Sequence, residues 1–182
     1  RQMCIRDSLD TVDAGQVVLD GDVLTAMRDD QLTITRRDRI GFIFQAFNLI
    51  PTLTAKDNIV LPLKMAKRTA DPDWFDHVVA MLGLQDRLTH KPAELSGGQQ
   101  QRVAVARALI TQPDIIFADE PTGALDQATS ASLIRFLRRL TDELNQTLVM
   151  VTHDAAVAKW ADRIVELRDG SIARDIVARP VN

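Results

Sequence analysis

The sequence predicts an α/β fold, a parallel β-sheet covered by helices. From Ser96 onward, short apolar runs alternate with helical segments. The runs Ile115-Ile116-Phe117-Ala118, Leu148-Val149-Met150-Val151 and Ile164-Val165-Glu166-Leu167 are almost continuously apolar, as strands buried on both faces must be. The first runs straight into Asp119-Glu120-Pro121, and the carboxyl ends of parallel strands are where such sheets bind ligands.

Taken in order, Gln16-Val17-Val18-Leu19-Asp20 closed by Gly21 reads as a strand and turn. A charged, helical segment from Thr25 to Arg39 leads to a buried strand at Ile40-Gly41-Phe42-Ile43-Phe44. Pro51 and Pro62 bracket Thr52 to Leu61, with Thr54 or Asp57 as the N-cap. Asp71-Pro72-Asp73 opens a helix that Gly83 stops. This middle stretch is expected to be a helical insertion outside the sheet. Helices then follow at Gln99 to Leu109, Gln127 to Leu144 and Ala155 to Trp160, each leading to one of the three apolar runs.

Composition excludes several classes. A chain of 182 residues fits one domain, and a net charge of −3 supplies no basic field for nucleic acid or an anionic membrane surface. Tyrosine is absent and aromatics are 4%, too few for a platform that stacks single-stranded nucleic acid. Cys4 is the single cysteine, so no internal disulfide can form. No apolar run is long enough to span a bilayer, and Arg1 to Leu9 lack the apolar core of a signal peptide. A cytoplasmic protein is expected, with any link to a membrane made through a partner chain.

Four groups of residues carry chemistry. At the strand end, one of Asp119 and Glu120 can hold Mg²⁺ and the other can orient and deprotonate a water; the bland alternative is an exposed turn with two solvated acids. Leu95-Ser96-Gly97-Gly98-Gln99 opens a helix with backbone N–H groups at the positive end of its dipole, an anion site that glycine lets a phosphate approach; a plain N-cap gives the same pattern. His153, in Val151-Thr152-His153-Asp154 at another strand end, can donate to a phosphate oxygen, although a lone histidine there is more often structural. Gln45, just past Phe44, can touch a metal or a water and means little alone.

Together these residues resemble one family, the nucleotide-binding domain of ABC transporters, over roughly Leu9 to Arg174. Leu95 to Gln99 resembles its signature loop, Ile115 to Asp119 its Walker B strand, Gly123-Ala124-Leu125-Asp126 its D-loop, Gln45 its Q-loop and His153 its H-loop. The resemblance implies a P-loop NTPase-like parallel sheet with a helical subdomain at about 52–110, and ATP with Mg²⁺ as ligands. It implies Glu120 as the catalytic carboxylate, Asp119 and Gln45 at the metal, and His153 at the γ-phosphate. Ser96, Gly97, Gly98 and Gln99 would grip the ATP of a second subunit paired head to tail, expected to be an identical chain, with Asp126 contacting that partner. A transmembrane permease would hold the pair at the inner face of the membrane. Phe44-Gln45-Ala46-Phe47-Asn48-Leu49-Ile50-Pro51 and Asn58-Ile59-Val60-Leu61-Pro62-Leu63 resemble the lipoprotein-release and macrolide-export group, which also includes peptide-resistance pumps and a cell-division regulator.

The family requires a Gly-x-x-x-x-Gly-Lys-Ser/Thr loop upstream of the strand at Gln16. The chain has no Gly-Lys pair. Residues 1–8 are expected to be a foreign junction and 9–182 a partial domain that lacks its first strand and P-loop helix, so these 182 residues alone are expected not to hydrolyse ATP. A regulatory ATPase of a cell-division complex that moves no substrate is the alternative. Soluble DNA-repair and translation members fit less well, because the chain carries no coiled-coil insertion, zinc module or second copy of the domain.

Overall fold

In the computed structural model the described residues are 14–178. The expected junction at 1–8, with Cys4, lies outside them, as does the start of the resemblance at Leu9.

Strands β1 (Val18–Leu19) and β2 (Asp22–Val23) pair antiparallel. Asp20 and Gly21 between them have φ of 47° and 85°, the two left-handed residues that a tight hairpin turn demands. The expected single strand at Gln16 to Asp20 is thus a hairpin, reversed by its own Asp-Gly pair. Helix α1 (Asp29–Arg39) is shorter than the expected Thr25–Arg39, because Leu24–Ala26 forms a separate 3-10 turn with Leu24 buried.

Strand β3 (Ile40–Phe44) falls where expected. Helix α2 (Ala55–Met65) starts at Thr54, whose hydroxyl accepts from Asp57 N–H. It runs through Pro62 rather than stopping at Leu61: proline forgoes one intrahelical bond, but Ile59 and Leu63, one turn apart, are both buried and hold the next turn in place. Helix α3 (Pro72–Leu82) is capped by Asp71 and closed by Gly83 at φ 62°. Helix α4 (Gly97–Leu109) begins right after its N-cap Ser96, two residues before the expected start.

The remaining elements are β4 (Ile115–Asp119), α5 (Gln127–Leu144), β5 (Thr147–Val151), α6 (Ala155–Ala158), β6 (Arg163–Arg168) and β7 (Ser171–Val177). Strands β3, β4 and β5 form a parallel sheet in that order. The alternating pattern predicts that β6 continues this sheet. Instead it pairs antiparallel with β7, turning at Asp169 and Gly170, both at positive φ.

The sheet is covered on both faces, by different means. Ile43, Ile116 and Ala118 join a large core with side chains from the helices, among them Ile59, Leu82, Val105, Leu109 and Leu140. The register row Phe42, Phe117 and Val149 faces the other way, onto Leu19 from the hairpin, Leu24 from the 3-10 turn and Leu32 from α1. Gly41 sits where a Cβ would lie 2.7 Å from the Ala108 carbonyl oxygen, so α4 lies directly on β3.

Candidate functional site

Parallel register places Phe44, Asp119 and Val151 side by side at the carboxyl end of the sheet. The next residues of the three strands are Gln45, Glu120 and Thr152, with His153 one further. Sequence positions far apart therefore open onto one edge.

Glu120 is the centre of this edge. Its φ is 43°, a left-handed conformation that costs a non-glycine residue about 1–2 kcal/mol. The turn is held by Glu120 N–H donating to the Val151 carbonyl (3.0 Å) and Gly123 N–H donating to the Glu120 carbonyl (2.9 Å). The carboxylate reaches the end of β5. It accepts from His153 N–H at 2.9 Å and from the Thr152 hydroxyl at 3.3 Å, and His153 Nδ1 lies 2.6 Å from Oε1. Hydrogen bonding to Glu120, then its charge, holds the His153 imidazole above its ordinary pKa. His153 is otherwise exposed, so Nε2 is open to a ligand.

Asp119 ends β4 exposed, and its carboxylate has no hydrogen-bond partner among the described residues. Gln45 is exposed and lies against Gly123, where a Cβ would come within 2.7 Å of its Nε2. The loop after Glu120 thus packs on the loop after β3. Asp119 and Gln45 both offer oxygen donors, the type that Mg²⁺ takes in ones or twos beside phosphate oxygens.

Ser96 and Gln99 bond each other at the start of α4: Ser96 Oγ accepts from Gln99 N–H and Gln99 Oε1 accepts from Ser96 N–H. The N–H groups of Gly97 and Gly98 stay open at the helix end, and the Ser96 hydroxyl keeps its proton to donate. Gly98 also has a packing reason to be glycine, since a Cβ there would lie 2.6 Å from Thr129 Cγ2. Asp126 caps α5, accepting from Thr129 N–H and its hydroxyl, and these bonds lower its pKa. No hydrogen bond among the described residues joins Ser96–Gln99 directly to Glu120 or His153.

Two residues that build the site do not stand out in the sequence. Thr152 reads there only as part of Thr-His-Asp, yet it holds Glu120. Gln101 is fully buried on α4 and donates from Nε2 to the Pro121 carbonyl at 2.7 Å, fixing the turn after Glu120. A polar residue on the apolar face of α4 is the available signal.

A family profile described as ABC transporter matches residues 3–123. The chain belongs to the ABC transporter family. The macrolide export ATP-binding/permease protein MacB of Neisseria gonorrhoeae is 45% identical over 183 residues, which cover 98% of this ABC chain and 28% of that protein. This chain thus spans less than a third of that relative's length. The lipoprotein-releasing system ATP-binding protein LolD of Bacteroides thetaiotaomicron is 45% identical over 174 residues, 94% of this chain and 79% of that protein. Among solved structures, the dimeric post-hydrolysis state of the ATP-binding cassette MJ0796 with ADP and Pi matches with a TM-score of 0.84 at 43% identity, covering 99% of this chain and 80% of that one. The α/β fold here is the fold of ABC cassettes. No helix among the described residues is long and apolar enough to cross a membrane.

Proposed function

We propose that this chain is the ATP-binding and ATP-hydrolysing part of an ABC transporter of the export, lipoprotein-release or peptide-resistance type. It would couple hydrolysis to a membrane permease and sit at the inner face of the membrane through it. The observation that supports this most is the convergence of Gln45, Asp119, Glu120 and His153 at one sheet edge, with the Glu120 carboxylate aimed by Thr152 and His153. Residues 9–182 are proposed as part of the ATPase domain, with about 52–110 as its helical subdomain.

The chemistry is phosphoryl transfer to water, in which positioning and charge neutralisation dominate. Glu120 would orient the water and accept its proton at a carboxylate oxygen. His153 would donate from Nε2 to the γ-phosphate while Nδ1 holds Glu120. Asp119 and Gln45 would hold Mg²⁺, which neutralises phosphate charge when bound. In a head-to-tail pair of identical chains, the open end of α4 would face the other subunit's γ-phosphate, using the Gly97 and Gly98 N–H groups and the Ser96 hydroxyl, with Gln99 and Asp126 beside them. The dimeric state of the similar MJ0796 cassette supports a site completed by a second copy.

The test uses a protein that also supplies a Gly-x-x-x-x-Gly-Lys-Ser/Thr loop. There Glu120→Gln is expected to lower ATP turnover by roughly 10²–10⁴ and to leave an ATP-bound dimer detectable by size-exclusion chromatography. Turnover within a few-fold of the parent would sink the role of Glu120.

A further inference from the structure

The loop that carries Gln45 is held in an unusual shape. Phe47 and Asn48 follow each other at φ 59° and 51°. A left-handed aromatic residue is an outlier that its surroundings must enforce. Two local bonds close the turn: Phe47 N–H reaches the Phe44 carbonyl at 3.2 Å, and Asn48 N–H the Ala46 carbonyl at 2.6 Å. A further pair of bonds comes from a distant part of the chain. Arg107, in the last turns of α4, donates from Nη2 to the Phe47 carbonyl at 2.8 Å and from Nη1 to the Asn48 carbonyl at 2.5 Å. Its guanidinium is partly desolvated and meets backbone oxygens rather than a carboxylate, and burial pushes its pKa down. At the other end of the same helix, the Phe47 ring comes within 3.9 Å of the place a Gly97 Cβ would occupy. Phe47 therefore meets α4 at two places, by its ring near Gly97 and by its carbonyl at Arg107.

We infer that Arg107 is a positioning residue that fixes the Gln45 loop to α4, so that Gln45 and the Ser96–Gly98 end of that helix move as one body. The inference rests on the proposed role of Gln45 at the metal and water. A forked guanidinium suits two adjacent carbonyls, and one ammonium can satisfy only part of the arrangement. Gln45 itself rests on Gly123, on the loop after Glu120. A displacement of α4 would therefore reach the Glu120 edge through Arg107, Phe47 and Gln45.

Amide hydrogen exchange on this chain tests the strap without any turnover. Arg107→Met keeps the apolar stem and removes the donors. The Phe47 and Asn48 amides are expected to exchange roughly 10- to 100-fold faster, the loss of two charge-assisted bonds, while amides of β4 and β5 keep their rates. Arg107→Lys should restore part of the protection, and it also serves if the methionine variant folds poorly. Unchanged exchange at 47 and 48 would overturn the inference, whatever happens to activity. In the protein supplied with a phosphate-binding loop, Arg107→Met should lower kcat roughly tenfold or more, leave the KM for ATP within about twofold, and add nothing to the loss caused by Gln45→Ala. Additive losses, or a rise in KM alone, would overturn it too. If Gln45→Ala leaves kcat unchanged, the role of Gln45 fails, and the exchange rates still decide whether Arg107 holds the loop.

Discussion

At the scale of single residues, the contact between Glu120 and His153 ties the protonation of the His153 imidazole to the carboxylate beside it. The imidazole pKa is raised by a hydrogen bond to Glu120, so protonation and the contact favour each other. A raised folded pKa means that the contribution of this pair to stability is complete below the ordinary imidazole value of about 6.5. It is lost as pH rises through the higher folded value. Exposure of the ring keeps that contribution small. The clean observable is therefore the titration: the His153 ring signals in NMR should show a midpoint above the ordinary imidazole value, and Glu120→Gln should bring it down. A midpoint indifferent to Glu120→Gln would show that the two side chains do not meet in solution. The same residue scale explains why one glycine carries more than one meaning. In the proposed site Gly98 would leave α4 open to an anion, and it is also where Thr129 leaves no room for a methyl group.

At the scale of elements, the stretch between β3 and α2 shows how a polar side chain can replace secondary structure. Asn58 is fully buried. Its Oδ1 accepts from Ile50 N–H, and its Nδ2 donates to the carbonyls of Ile50 and Thr54 at 3.1 and 3.0 Å. Asn58→Leu fills the same space and orphans those groups, so it should cost about 2–3 kcal/mol, read as a lower urea midpoint at unchanged slope. A loss below about 0.5 kcal/mol would mean that water serves the loop equally well. Much of this scale is legible in the sequence, for stated reasons. Asp71-Pro72 with Gly83, and Ser96 with Gln99, mark helix ends because caps are local chemistry. The apolar runs at Ile40 and Ile115 mark strands because both faces are buried. Strand β7 does not show itself, although Asp169-Gly170 is a hairpin signal, because its residues are exposed and its apolar ones, Ile172, Ala173, Ile176 and Val177, fall in pairs rather than alternating. In the site, the acids and His153 can be found from strand ends, whereas Arg107 cannot, and Gln101 shows only as a polar residue on an apolar helix face. Both act on backbone carbonyls of distant loops, and no spacing along the chain encodes which carbonyl a side chain will meet.

At the scale of the whole molecule, the inserted helices have no core of their own. One cluster of buried residues runs from Ile43 in the sheet through Ile59, Val78 and Leu109 to Leu137 and Val157. Gly41 against Ala108 and Trp74 Nε1 donating to the Leu109 carbonyl at 3.2 Å tie sheet, α3 and α4 together in the same region. A shared core predicts cooperative unfolding, even though the helices from α2 to α4 can be assigned a separate functional role. The chain provides its own reporters, with one tryptophan in the insertion, Trp74, and one beyond β5, Trp160. Urea unfolding followed in Trp74→Phe by the remaining Trp160, and in Trp160→Phe by the remaining Trp74, should each agree with the far-UV circular dichroism of the same variant in midpoint and slope. Should Trp74 report an earlier transition than the circular dichroism does, the insertion would be an independent unit, and α4 could tilt without disturbing the sheet. Coincidence would mean that a movement of α4 must be a rigid shift transmitted through side chains such as Arg107 and Gln101, because packing leaves no seam along which the helices can separate.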